Sequence, residues 1–475
     1  MATTALPLDS QPEESSVPAG TPEELAGPAY TATAPVTLAE RISSVDTLRG
    51  AALMGILIMN ICDFAYGFAN YAYPLSTVKP VFNGPHWRVD TTLWFLRWIL
   101  AEGKMRALFS MLFGAGVVLM TGRAEDRGAG VRTADIYTRR NMWLVLFGML
   151  HCYFIWNGDI LYFYATTALV FLFPFRHLKP KTLLWTGSIV LLMNTLLIQG
   201  GQTAGVYFQK QAAVKAMAVA PAHRTKDQND AIESWHKAEE QFRPSAEERY
   251  KDIAKHKSWV GGFLADAKNA FQGETMGAYA GFGDWLGMML FGMALFRNGF
   301  LSGKLSTKTY ALTAIIGLGV AWPLVAIGAY HVWKGHFDYL QTYLWMQAPY
   351  DIGRVGGALG NAAVILLLVR AGVFKWLLAR IAKVGQMALS NYLLTSISMQ
   401  TIFVWAKPHW YGYLDYYQVY CVVAVVWIVN LIFSSLWLRY FRFGPVEWCW
   451  RSLTYWKRQP MRLLPKELPA TATAA

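Results

Sequence analysis

About ten apolar stretches, most of them joined by short connections, recur from residue 47 to residue 438, each long enough to cross roughly 30 Å of hydrocarbon as a helix. They read as 47–66, 103–121, 140–157, 159–175, 182–200, 280–299, 308–331, 354–371, 385–405 and 415–438. The expected fold class is therefore an all-α integral membrane protein with about ten transmembrane helices. Composition agrees: 54% of the 475 residues are hydrophobic and only 15% are charged, against about 25% in an ordinary soluble domain. A water-soluble enzyme is excluded.

The net charge of +13 has a positional explanation. Alternate connections hold Arg123, Arg127, Arg132, Arg139 and Arg140; Arg176, Lys179 and Lys181; Arg297, Lys304 and Lys308; and Arg370, Lys375, Arg380 and Lys383, while the C-terminal tail is also basic. The other short connections are poor in cations. Positive charge gathers on the cytoplasmic side of membrane helices, so an even number of spans with both termini cytoplasmic is expected, in a bacterial inner membrane. No basic stripe of the kind that reads nucleic acid is present. Residues 1–40 carry six acids and no Lys or Arg, rich in Pro, Thr and Ala, and read as a disordered tail without signal-peptide features. The rest divides into a first bundle (41–200), an outer-side helical insertion (201–275), a second bundle (276–440) and a basic tail (441–475). The insertion is nearly neutral, with 228–257 read as helix at the membrane surface, a cap over the bundle in preference to a lid over a site. Asp90–Ala101 reads as an interfacial helix with Arg88 and Arg97 at headgroup level. The four scattered cysteines form no CxxC pair and read as buried small hydrophobes, so neither a disulfide framework nor a metal site is expected.

Ionisable and amide side chains inside spans are costly in lipid and mark the candidate site. In SVDTLRGAALMGILIMN, Asp46 and Arg49 share a helix face and form either a local pair or part of a binding mouth. Asn60 lies near the outer end of the same helix, suited to helix–helix hydrogen bonding or to chemistry. His151 lies in the outer half of the third span, with Asp159 eight residues on, after the Asn157-Gly158 break. Such a turn can return the carboxylate to the imidazole and orient it as a general base; alternatively His151 packs and Asp159 caps a helix. Glu102, Lys104 and Arg106 mark the outer mouth of the second span, to bind an anion or to snorkel. Gly114, Gly116, Gly353, Gly356, Gly357 and Gly360 permit close helix contact, and with no strand before the latter cluster a nucleotide loop is not indicated. No GxSxG, HExxH or P-loop occurs.

The blocks VDTLRG with ALMGILIMN, KMRALFSMLFGAG, GMLHCYFIWNGDILYFYA, GQMALSNYLL and RYFRFGPVEWCWRSLTY resemble, in order, the motifs of the YeiB-like family of bacterial inner-membrane proteins, over residues 41 to about 458. That family is similar in its first helices to the transmembrane acyltransferase superfamily, which includes the lysosomal heparan-glucosaminide acetyltransferase. The shared pattern is Asp46, Arg49-Gly50 and Asn60. The lysosomal enzyme has a catalytic His soon after the Asn; here Tyr71 stands at that spacing and the first loop histidine is His86. The resemblance implies an acyltransferase taking acyl-CoA at the cytosolic mouth near Asp46, Arg49 and the basic loops, with an envelope glycan or small molecule as acceptor; Lys104 and Arg106, at the outer mouth of the second span, complete the candidate donor-binding residues. His151 and Asp159 would act as base and orienting group and Asn60 as oxyanion donor. Two other classes stay open on the residues alone: a transporter or channel for a small solute or anion lined by His151, Asp159 and Lys104, and a membrane scaffold. The bilayer is the expected partner, alongside acyl-CoA, the acceptor and a second copy in a homodimer.

Overall fold

A computed structural model describes residues 43–67, 74, 79–273, 277–407 and 409–463. The acidic tail and Tyr71 lie outside the described residues. Among these, the regular elements are all helical: α1 (Ser43–Tyr66), α2 (Trp87–Leu96), α3 (Lys104–Asp126), α4 (Arg132–Phe154), α5 (Leu161–Thr167), α6 (Pro180–Asn194), α7 (Gly201–Met217), α8 (Lys226–Phe242), α9 (Ala246–Lys255), α10 (Trp259–Gln272), α11 (Ala278–Arg297), α12 (Thr307–Lys334), α13 (Tyr339–Thr342), α14 (Tyr350–Ala371), α15 (Lys375–Gln386), α16 (Ala388–Gln400), α17 (Tyr416–Trp437) and α18 (Pro445–Tyr455).

Among the described residues, six helical runs are long and apolar enough to cross a membrane: α1, the joined α2–α3 run Trp87–Asp126, the joined α6–α7 run Pro180–Met217, α12, α14 and α17. The other four stretches read as spans are helical too, but interrupted or polar. α4 starts with Arg132, Arg139 and Arg140; α5 is seven residues long before it widens into a π turn at Ala168–Leu172; α11 holds Asp284; and α15 and α16 are separate helices on either side of Met387. The helix that begins at Pro180 does not stop at residue 200, because a π turn, Thr195–Gly200, carries it into α7. On α6 and the π turn after it, Trp185, Leu192 and Leu196 are exposed, as are Ile315, Ile316 and Val320 on α12, the pattern of a lipid-facing surface.

α1 is the centre of the bundle and packs against α3, α15 and α17. Leu48, Ala52, Ile61, Cys62 and Ala65 are fully occluded, each large apolar chain contributing about 1.5–3 kcal/mol. α1 meets α15 main chain to main chain: a Cβ at Gly50 would collide with the Ile381 carbonyl, and one at Gly385 with that of Asp46. Gly356 and Gly360 bring α14 against Gly317 and Leu318 of α12 in the same way, as the small-residue pattern implies.

Two readings are corrected. Arg97 is not on the protein surface, as a headgroup contact would require. The π turn Arg97–Ala101 adds a residue to the helical turn and rotates the guanidinium inward, where it donates to Glu102 Oε2 at 3.1 Å and Cys62 Sγ at 3.7 Å and is 1% exposed. Of the cysteines, Cys62 and Cys152 are buried, but Cys421 and Cys449 are exposed, because they fall on outward faces of α17 and α18.

Candidate functional site

The turn after α4 brings His151 and Asp159 together. Ile155 N–H and Trp156 N–H both bond back to the His151 carbonyl, closing the helix, and the chain reverses so closely that Gly148 sits against the Tyr162 backbone. His151 Nδ1 lies 2.8 Å from Asp159 Oδ1, both side chains fully buried. The carboxylate also accepts from Tyr392 Oη at 3.0 Å and, through Oδ2, from the Tyr162 N–H at 2.7 Å. It therefore both orients the imidazole and caps α5: the two readings of Asp159 are one arrangement. His151 Nε2 has no hydrogen-bond partner among the described residues. A carboxylate on Nδ1 favours the tautomer with its proton there and leaves Nε2 free to take a proton.

A cavity of about 230 Å³ opens at the N-terminal end of α1. Asp46 and Arg49 line it, paired at 2.9 Å, together with Arg123, Arg140 and Arg451. Tyr164, Leu161 and Tyr392 also line it. Glu447 reaches into this cavity from α18 and accepts from the Leu389 and Ser390 N–H groups and the Ser390 hydroxyl, a carboxylate on the N-terminus of α16. Burial outweighs those hydrogen bonds and pushes its pKa above the ordinary carboxylate value.

A second cavity, about 240 Å³, opens at the C-terminal end of α1. It is lined by Asp63, Trp156, Asn157, Glu248, Arg249, Asp252, His256, Asp266, Gln400 and Tyr411. Trp156 Nε1 donates to Asp63 Oδ2 at 2.9 Å, and Tyr411 Oη to Asp252 Oδ2 at 2.7 Å. His256 stacks on Tyr411 and stands 3.5 Å from Asp252 and 3.6 Å from Asp266. Burial lowers its pKa, but the hydrogen bond and charge of Asp266 and the charge of Asp252 more than offset this and raise it above 6.5. The insertion does more than cover the bundle: α9 and α10 supply one wall of this cavity. The sequence reading did not single out Asp63, Asp252, His256, Asp266, Gln400, Tyr392 or Tyr411. An acid three residues past Asn60 on a span was the one available signal.

His151 and Asp159 line neither cavity but lie between their ends, Tyr392 lining the first and Trp156 bounding the second; the His151 ring is 4.9 Å from Tyr392 and 6.2 Å from Trp156. Asp46, Arg49, Asn60 and Asp63 fall on one face of α1, and 17 residues at 1.5 Å each separate its two cavity acids by about 25 Å. Asn60 is half-buried on that face and lines neither cavity. Lys104 and Arg106 do not join Asp46 and Arg49. Lys104 is 1% exposed and donates to the Trp98 and Glu102 carbonyls at 2.8 and 3.2 Å, its methylenes against Gly357. Arg106 pairs with Asp284 at 3.3 Å, and Asp284 also pairs with Arg354, in a buried network joining α3, α11 and α14.

The family model described as "protein of unknown function (DUF418)" matches residues 295–457. The chain is 31% identical over 425 residues to the Escherichia coli protein YeiB, covering 87% of this chain and 96% of that one. It is 31% identical over 439 residues to Bacillus subtilis YxaH, covering 90% and 97%, and 26% identical over 436 residues to a 39.9 kDa protein from the amylase 3′ region of Bacillus acidopullulyticus, covering 91% and 99%. No solved structure matches. Near-complete coverage at that identity, with the motif blocks in order, places the chain in the YeiB-like, DUF418-containing family.

Proposed function

We propose that the protein is a membrane-embedded acyltransferase that passes an acyl group from acyl-CoA at the α1 N-terminal cavity to an acceptor at the α1 C-terminal cavity. The observation that carries this reading is the buried His151–Asp159–Tyr392 group with an unpartnered imidazole nitrogen, set between one arginine-lined and one carboxylate-lined cavity. Ten crossings, both termini cytoplasmic, put the arginine-lined cavity on the cytosolic side. Arg49, Arg123, Arg140 and Arg451 suit the phosphates of CoA, and Asp46 holds Arg49 in place. The acceptor's hydroxyl or amine attacks the thioester carbonyl; His151 Nε2 takes the acceptor proton, the C–S bond breaks, and the same proton leaves on the CoA thiol. Asp159 steadies the imidazolium, Tyr392 orients Asp159, and the Asn60 amide serves the oxyanion from α1. Lys104 and Arg106 support the site through the charge network around them without touching the donor. An acyl-CoA series of increasing chain length tests the reading: release of free CoA thiol by purified protein, lost in His151→Ala, supports it, and no release at any length overturns it.

A second reading draws on the same buried chain. Polar groups between two cavities at opposite ends of a bundle also suit a proton-linked transporter. Solute flux in proteoliposomes without thiol release, abolished by His151→Ala, selects it.

A further inference from the structure

The second cavity has unfinished hydrogen bonding. Asp63 is 9% exposed; its Oδ2 accepts from Trp156, and its other oxygen has no hydrogen bond among the described residues and belongs to the cavity wall. Gln400, on the last turn of α16, is 6% exposed, lines the same cavity, and its amide makes no hydrogen bond among the described residues. A carboxylate oxygen and an amide that open onto a cavity without a protein partner are free to bond what enters it. Both groups therefore point to something that enters from the cavity and donates to Asp63.

The charges select what enters. The wall carries four carboxylates, Asp63, Glu248, Asp252 and Asp266, against one guanidinium, Arg249, and one imidazole, His256. His256 is shared between Asp252 and Asp266, and Arg249 donates to the Pro244 carbonyl next to Glu248 at the rim. Asp63 has no cationic side chain within salt-bridge reach among the described residues. No three of the acids and histidines among the described residues are arranged to hold a metal ion, so the geometry favours an organic cation.

We propose that this cavity binds a ligand carrying a protonated primary amine beside a hydroxyl, the ammonium on Asp63 and the hydroxyl on Gln400. The proposal deepens the acyl-transfer reading by naming the class of molecule the acceptor side takes, and binding is measured without turnover so that the two fail separately.

Three probes on one two-carbon skeleton isolate the charge: ethanolamine, ethylene glycol and glycolate, titrated at fixed ionic strength into full-length protein in phosphatidylglycerol nanodiscs, with Trp fluorescence and thermal melting as readouts. Ethanolamine gives saturable binding at least tenfold tighter than ethylene glycol, and glycolate gives none. Asp63→Asn weakens ethanolamine tenfold or more, and Gln400→Leu weakens it severalfold. Repeating the titration in phosphatidylethanolamine discs separates the sources of the amine. Binding lost there identifies a lipid headgroup as occupant, binding kept identifies a free amine, and both uphold the ammonium site. Equal binding of ethylene glycol, stronger binding of glycolate, or no ethanolamine binding overturns it. The probe series on the parent protein decides the question even if Asp63→Asn fails to fold.

Discussion

Replacing Asp159 by Asn tests the central hydrogen-bonded group with almost no change of shape. The carboxylate accepts three hydrogen bonds, from His151 at 2.8 Å, Tyr392 at 3.0 Å and the Tyr162 N–H at 2.7 Å. An amide presents one oxygen and one NH2 group, so it cannot accept from both sides. If the oxygen keeps His151 and Tyr392, the NH2 faces the Tyr162 N–H and the α5 cap is lost; if it turns, the NH2 meets the imidazole and forces the proton onto Nε2. Either way one buried group is left unmatched, at about 1–3 kcal/mol. Asp159→Ala strands all three donors and costs most, while Tyr392→Phe removes one donor from a carboxylate that keeps two but also strands the Ile160 N–H, which donates to the Tyr392 hydroxyl at 3.3 Å. Thermal melts followed by Trp fluorescence should place the Ala variant below both Asn and Phe in stability, with the Asn change amounting to a few degrees. Under the transfer reading the same Asn variant loses roughly 10²–10⁴-fold in turnover, because the wrong tautomer faces the acceptor. Unchanged melting together with unchanged turnover in Asp159→Asn would refute both the geometry and the role.

His256 makes the wall formed by α9 and α10 pH-dependent. Its folded pKa is raised, so its stabilising contribution is fully present below about pH 6.5 and is lost as pH rises through the raised value; deuterium exchange in 246–272 should accelerate over that range, and His256→Gln should flatten the profile. Asp252 on the same helix, Asp266 on α10, Tyr411 and Asp63 are the groups that face it. Arg354→Met leaves Asp351 without its ion-pair partner and Asp284 with Arg106 alone, and should cost about 3–5 kcal/mol, seen as loss of folded protein after detergent extraction; Arg354→Met with Asp351→Leu, which keeps the Arg106–Asp284 pair, should recover much of it. Gly385→Val drives a side chain into the Asp46 carbonyl, so α1 and α15 must separate. The expected outcome is a loss of at least about 1–3 kcal/mol in melting stability and, with the Asp46–Arg49 mouth displaced, weaker acyl-CoA-dependent stabilisation.

The helical membrane fold was legible because apolar length alone specifies it, and so was the His151–Asp159 pair, because eight residues and an Asn-Gly turn make that contact local. The Asp46–Arg49 pair was legible for the same reason. Tyr392 was not: 233 residues separate it from Asp159, and only the packing of α16 against the α4–α5 turn brings them together. The second cavity was hidden in the same way, since Asp63, His256 and Tyr411 come from a span, the insertion and a late loop. Lys104 and Arg97 misled for a different reason. Both follow or lie in a π turn, which rotates side chains away from the positions that regular helical spacing assigns; Lys104 then spends its donors on carbonyls at that turn.

The account rests on acyl transfer between the two ends of α1 through His151. Its most direct test adds acetyl-, butyryl- and palmitoyl-CoA to reconstituted protein with ethanolamine as acceptor, measuring thermal stabilisation and free thiol in parallel. The account predicts that the parent is stabilised and releases thiol, and that His151→Ala, melting within a few degrees of the parent, keeps the stabilisation and loses the release. Thiol release that persists in His151→Ala, or a parent that shows neither stabilisation nor release with any of the three donors, would contradict it.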